Sequence, residues 1–313
     1  MNQSDSYLWV ECFKPTTVDD CILPKKIKQT FTAYAQEKEF PNLILAGPAG
    51  VGKTSLIKAL CSQIDADILF INASLDRGIG DIRTTVAQYA SCSSMFGGKK
   101  VVILDEADNL TQDSQKALRA LIEEFQNHCT FALTCNYPHN IIDAIHSRCS
   151  VVDFHVRDPK DLALLCAQFF KRVVSILKSN SVQYDDKVIA KYVMDMAPDW
   201  RGILNNLQAE SKSGELTADI LKDTPEQLVE YMKKKQWQNA RDWVFEHSYI
   251  HPKKLESDIY KSVQPHLVDQ SKPQAVLIFA EYTDKITNGA DPFITLLALV
   301  TQLMMECTWK TDD

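Results

Sequence analysis

Residues 42–56, NLILAGPAGVGKTSL, constrain the fold of this chain more than any other segment. An apolar run, a glycine-rich turn and a Lys-Thr-Ser triplet follow one another, matching G-x-x-x-x-G-K-[ST] at Gly47, Gly52, Lys53 and Thr54. Such a loop works between a buried strand and a helix. Its glycines let backbone amides curl around phosphate oxygens, and the helix N-terminus adds its positive end. The motif predicts an α/β P-loop fold, with Gly47, Pro48, Ala49, Gly50, Val51, Gly52, Lys53, Thr54 and Ser55 as the nucleotide-binding loop. Lys53 would reach the β and γ phosphates of ATP, and the Thr54 hydroxyl would ligate Mg2+.

Short apolar runs at 43–45, 68–71, 101–104, 131–133 and 151–154 alternate with helical patterns, which predicts a five-stranded parallel sheet. The third run, VVILDEADN, leaves Asp105 and Glu106 at the carboxyl end of a buried strand. Asp105 would hold Mg2+ opposite Thr54, and Glu106 would polarise the attacking water; that pairing separates a hydrolase from a passive binder. The fourth run ends in LTCNYP, placing Asn136 at the same edge. Its amide either orients water at the γ-phosphate or merely forms an Asx-type turn before Pro138. In IHSRCSVV, Arg148 precedes the fifth run. It is either a solvated surface residue or, if chains stack side by side, a finger reaching the neighbour's γ-phosphate. Within 111–127, Leu118, Leu121, Ile122 and Phe125 recur at helical spacing. Gln115, Arg119, Glu123 and Gln126 lie opposite, on a polar face available for partners.

From about Arg157 the strand signal ends. Helical patterns broken by Ser, Asn, Pro and Gly predict a small helical domain over 156–224, behind a nucleotide-binding domain over 1–155. An all-α bundle with Trp237, Trp243 and Trp309 is expected over 225–313. The formal charge of −7 gives the whole chain no electrostatic call for nucleic acid or anionic membrane, so any DNA contact needs a local basic face. Nine dispersed cysteines without a C-x-x-C pair suit a reducing compartment, and the spacing of His128, Cys129, Cys135 and His139 fits no common zinc pattern. The N-terminus lacks a signal-peptide pattern. The apolar run 293–305 is interrupted by Thr295, Thr301 and Gln302 and is too short for a bilayer, so a buried core helix in a cytoplasmic protein is expected.

Together GPAGVGKT, VVILDEAD, LTCN, SRC and DWRGILNNLQ resemble the AAA+ clamp-loader family. FKPTTVDDCILP, FINAS and MECTWK resemble its T-even bacteriophage branch, and the likeness spans essentially the full length. It implies an ATPase subunit, stimulated by DNA and clamp, that opens and loads a sliding clamp at primer-template junctions during viral DNA replication. The cytoplasm of an infected bacterial cell is the implied location. By the same resemblance Asn136 is sensor 1, Arg201 is the sensor 2 arginine that joins lid to γ-phosphate, and Arg148 is the trans-acting finger. Gln115 and Arg119 would couple ATP sites to DNA, Arg83 and Arg77 would track DNA phosphates, and Met95 and Phe96 would insert into the clamp. Residues 156–224 become a helical lid and 225–313 a collar. Copies of the chain would form a spiral with a non-ATPase loader subunit, with no membrane involved. One departure is ECFKP at Glu11–Pro15, where the family reads close to EKYRP; one basic residue beside the adenine pocket is lost. Two other readings stand beside this one. A branch-migration or helicase-loading AAA+ motor generally lacks the SRC triplet and the all-α collar. A scaffold using ATP only as structural glue is opposed by intact Lys53, Asp105 and Glu106.

Overall fold

A computed structural model describes residues 7–74, 79–92, 98–217, 220–221, 224–248, 250–288 and 290–310 of the 313-residue chain. Its strands are β1 (Leu43–Ala46), β2 (Asp67–Asn72), β3 (Lys100–Asp105), β4 (Thr130–Cys135) and β5 (Ser150–Asp153), and short β6 (Gln183–Tyr184) and β7 (Glu215–Leu216) form a separate pair. The helices through the first half are α1 (Trp9–Cys12), α2 (Lys25–Glu37), α3 (Lys53–Gln63), α4 (Ile79–Ser91), α5 (Gln112–Phe125) and α6 (Asp143–His146). Then follow α7 (Pro159–Ser179), α8 (Asp186–Met196), α9 (Trp200–Glu210), α10 (Pro225–Lys233), α11 (Trp237–Glu246), α12 (Pro252–Val263), α13 (Lys272–Thr287) and α14 (Pro292–Glu306). All five strands expected from the apolar runs are present, and they pair in parallel in the order β2-β3-β4-β1-β5.

Alternation along β1 explains why that strand is continuously apolar. Leu43 and Leu45 face a core built with Phe31 of α2 and Leu56, Ile57 and Leu60 of α3. Ile44 and Ala46 face the opposite core, with Val86 of α4 and Leu118, Leu121 and Ile122 of α5. Both faces of the sheet are thus covered, as parallel sheets require, and each fully buried Leu or Ile contributes about 1.5–3 kcal/mol. The strand order also makes a site. Because β1 lies between β4 and β5 rather than beside β2, the carboxyl ends of β1, β3 and β4 open onto one crevice.

Close packing divides the chain into two units, Met1–Gln183 with Met196–Glu215, and Tyr184–Asp195 with Leu216–Asp313. Helices α7 and α9 of the expected lid therefore belong to the sheet-containing unit, where Phe169 and Trp200 pack ring against ring at 4.6 Å. Helix α1 joins them through Gln208, whose Oε1 accepts from the Trp9 N–H. The second unit is a helical bundle around Trp243, Phe279, Leu299 and Leu303. The apolar run 293–305 is α14, a core helix of that bundle. Among the described residues no helix is long and apolar enough to cross a membrane. The second unit also buries carboxyl oxygens. Glu226 Oε1 accepts from Ser262 Oγ at 2.8 Å, while Glu226 Oε2 and Asp195 Oδ2 are buried with no hydrogen-bond partner among the described residues.

Candidate active site

The loop leaving β1 turns through two left-handed glycines, Gly50 at φ +79° and Gly52 at φ +94°, and α3 begins at Lys53. Gly47 is required for a different reason. A Cβ there would lie 2.7 Å from the Cβ of Phe154, so only glycine lets the loop pass the end of β5. Lys53 is buried and all three of its ammonium donors are used: Gly47 O at 2.8 Å, Pro48 O at 2.7 Å and Asn136 Oδ1 at 3.0 Å. Burial pushes its pKa below the usual lysine value, and the nearby charges of Asp108 and Asp105 oppose that shift. The lysine therefore ties the P-loop to the end of β4.

Beside it, Thr54 Oγ1 donates to Asp105 Oδ1 at 2.6 Å, and Thr134 Oγ1 donates to the same oxygen at 2.7 Å. Thr134 also accepts from the Glu106 N–H at 3.0 Å, so one hydroxyl holds two successive acidic residues in place. The backbone at Glu106 is left-handed, φ +56°, which is uncommon for a non-glycine residue and turns the chain sharply off β3. Arg201 stands on the first turn of α9, capped by Asp199, whose Oδ1 accepts from the Gly202 N–H at 2.9 Å. Gly50, Lys53, Thr54, Asp105, Glu106, Asn136 and Arg201 all line one pocket.

This donor set fits ATP and Mg2+. A hydroxyl and a carboxylate already in contact, Thr54 and Asp105, are the hard oxygen ligands Mg2+ takes alongside phosphate oxygens and waters. Among the described residues no group of three or more His, Cys, Asp or Glu could hold a metal ion by itself. Cys129 and Cys135 lie in the apolar core.

Arg148 is elsewhere. The ladder pairs Leu43 with Ser150, so Arg148 sits at the amino ends of β1 and β5, whereas the P-loop leaves the carboxyl end of β1. Roughly 13 Å of strand lies between. Its Nε donates to Glu123 Oε1 at 2.7 Å and its Nη1 to Ala144 O at 2.6 Å, and it lines a separate cavity with Asn42, Ile122, Glu123, Gln126 and Ser147. Arg119 also pairs with Glu123.

Gln115 corrects an expectation. Its polarity assigns it to the polar face of α5, but it stands three and seven residues before buried Leu118 and Ile122, in line with the apolar stripe, and it is 2% exposed. Its Nε2 donates to Leu110 O at 3.1 Å and Asn140 O at 2.9 Å, and its Oε1 accepts from the Ile142 N–H at 2.8 Å. Three backbone partners satisfy the amide, so burial costs it no hydrogen bond. Arg119 and Arg83 are exposed. Arg77, Met95 and Phe96 lie outside the described residues. Sequence reasoning missed Thr134, Asp108 and Asp199; the local signals were a hydroxyl inside the otherwise apolar run FALTC and, for Asp199, an N-cap residue just before the helical pattern of α9.

A family model described as "ATPase family associated with various cellular activities (AAA)" matches residues 43–156. The chain is 31% identical to the sliding-clamp-loader large subunit of Enterobacteria phage T4, over 95% of this chain and 96% of that protein. It is 30% identical to the replication factor C small subunit of Methanothermobacter thermautotrophicus, over 95% and 97% respectively. Among solved structures, the Thermotoga maritima RuvB Holliday junction branch migration motor superposes with a TM-score of 0.52 over 70% of this chain and 79% of that one, at 19% identity, a likeness of fold alone. With relatives at least 30% identical along nearly their whole length and a matching ATPase family model over the sheet and its P-loop, the chain belongs to the AAA+ sliding-clamp-loader family of ATPase subunits.

Proposed function

We infer that this chain is the ATPase subunit of a sliding-clamp loader, hydrolysing ATP to drive loading of a ring clamp at primer-template junctions. One observation carries the hydrolytic reading: Lys53, Thr54, Asp105, Glu106, Asn136 and Arg201 converge on a single pocket at the carboxyl edge of the sheet. In this reading Lys53 exchanges its bonds to the loop carbonyls and Asn136 for phosphate oxygens. Glu106 takes up the proton of the attacking water, and Asn136 and Arg201 bear on the γ-phosphate. Mg2+, held by Thr54 and Asp105, would neutralise charge on the β and γ oxygens.

Arg148 stands on the opposite edge from its own P-loop, so the phosphate it serves belongs to a neighbouring copy. ATP at each interface then orders a spiral, and hydrolysis loosens it. We retain 1–155 as the ATPase domain, 156–224 as the lid and 225–313 as the collar that joins copies to one another and to a non-ATPase subunit. Arg83 and Arg77 are the proposed phosphate-tracking contacts, repeated along the spiral so that an acidic chain still presents a basic groove. Arg119 and Gln115 carry coupling along α5, and Met95 with Phe96 contact the clamp. The phage origin of two relatives supports the cytoplasm of an infected bacterial cell as the setting of this activity.

Steady-state ATPase rates with and without primed DNA and the cognate clamp test the reading. Stimulation by both is expected; rates indifferent to both refute it. Translocation or strand displacement without a clamp would instead favour the branch-migration or helicase-loading alternative.

A further inference from the structure

In LDEADN, Asp105 and Glu106 have roles in the site and Asp108 has none. It lies on the single turn after β3, Ala107–Asn109, and its side chain points across to the loop that follows β4. Asp108 Oδ2 accepts from two successive backbone amides, Asn136 N–H at 3.1 Å and Tyr137 N–H at 3.0 Å. Its other oxygen, Oδ1, is buried with no hydrogen-bond partner among the described residues. A half-buried carboxylate accepting from paired amides makes charge-assisted bonds that hold a loop more firmly than neutral ones do.

What that loop carries gives the contact its meaning. Asn136 Oδ1 receives the Lys53 ammonium at 3.0 Å. An ammonium only donates, so Asn136 must turn its oxygen to Lys53, and its NH2 end is the part free to face phosphate or water. The amide can hold that orientation only if the backbone beneath it is fixed. Tyr137 precedes Pro138, whose ring nitrogen donates nothing, so the two amides gripped by Asp108 are the last donors before the short turn Pro138–Asn140. The same carboxylate also lies near enough to Lys53 to favour its charged form.

We propose that Asp108 is a positioning residue for ATP hydrolysis, its carboxylate pinning the Asn136–Tyr137 backbone and thereby fixing where the Asn136 amide stands in the site. This rests on the reading that Asn136 acts at the γ-phosphate. It adds a third acidic residue to the sequence after β3, with a task distinct from metal binding and from activating water. Asp105 and Glu106 act on the reaction; Asp108 acts through Asn136.

The test is a double-mutant cycle on the full-length chain in its assembled loader, with Asp108→Ala, Asn136→Ala and the pair, measuring kcat, KM and the affinity for a non-hydrolysable ATP analogue. Asp108→Ala should lower kcat about tenfold or more while analogue affinity stays within about twofold. In the Asn136→Ala background the same change should add less than about twofold. Asp108→Asn, which keeps one acceptor oxygen, should recover part of the rate, and it serves for the cycle if the alanine variant does not fold. Multiplying effects would overturn the proposal, because Asp108 would then act by another route. If Asn136→Ala is impaired and Asp108→Ala is not, the positioning role alone fails. Normal turnover by Asn136→Ala would overturn the reading of Asn136 itself.

Discussion

Gly50 offers a test of how tightly the P-loop and the start of α9 are fitted together. Its φ of +79° lies in the left-handed region, and a Cβ added there would stand 2.7 Å from Asp199 Cγ, closer still to Asp199 Oδ1, and 3.2 Å from Asp199 Cα. Gly50→Ala should therefore do two things. The left-handed backbone costs alanine about 1–2 kcal/mol relative to glycine. The new methyl also drives away the Asp199 carboxylate, which caps α9 through the Gly202 N–H, and a lost cap costs about 1 kcal/mol. The sum, about 2–3 kcal/mol, is a large fraction of ordinary domain stability but leaves a folded protein. The two effects separate in a cycle. Asp199→Ala should cost about 1 kcal/mol alone, and the double variant should cost no more than Gly50→Ala by itself, a coupling of about 1 kcal/mol. Amide hydrogen exchange of α3 and α9 reads the local free energies, and ATP turnover should fall in the same variants because Arg201 sits on the displaced turn. Strict additivity, or a Gly50→Ala protein with undiminished protection in α9, would refute the argument.

Other outcomes follow from the same geometry. Gln115→Leu leaves the Ile142 N–H without its buried acceptor and two carbonyls without their donor, so it should cost about 3 kcal/mol by urea unfolding, whereas Arg119→Ala on the exposed face should cost under about 1. Arg148→Ala should bind nucleotide normally yet fail to support hydrolysis by the neighbouring copy, and mixing it with Lys53→Ala subunits should reveal complementation across the interface; normal turnover by Arg148→Ala would rule out action in trans. In the second unit, burial, together with the charge of Asp195 and against the Ser262 hydrogen bond, pushes Glu226 from 4.5 up to about 7. The folded chain thus keeps a proton that the unfolded chain releases between those values, and stability should fall as pH rises through that window and level off above it. The effect is at most about 3 kcal/mol, and Glu226→Gln should remove it and raise the melting temperature at pH 8.

Much of the architecture was legible before any coordinates. Strands buried on both faces, such as β1, β3 and β4, are apolar along their middle positions, so they stand out as runs whatever their order in the sheet. A phosphate loop needs small residues at fixed intervals, so its spacing is local and visible. Helix α5 shows where that kind of reading stops. Its apolar spacing set the buried face correctly, but polarity alone could not reveal that Gln115 finds three backbone partners in the turns at either side.

The sequence by itself determined the P-loop, the five strands, the acidic pair after β3 and the helical second half, because each depends on neighbours a few positions away. Only the tertiary structure decided that Thr134 steadies Asp105 and Glu106, that Asp108 grips the Asn136 loop, and that Asp199 seats α9 against Gly50. It also set Arg148 at the far edge of the sheet from its own Lys53. These relations join residues far apart in the chain; strand order, which places β4 beside β1 and β3 beside β4, brings the strand-end residues together, and the packing of α9 brings Asp199 to the P-loop. Spacing carries no trace of such contacts, since a hydrogen bond across a crevice constrains the two partners and not the residues between them.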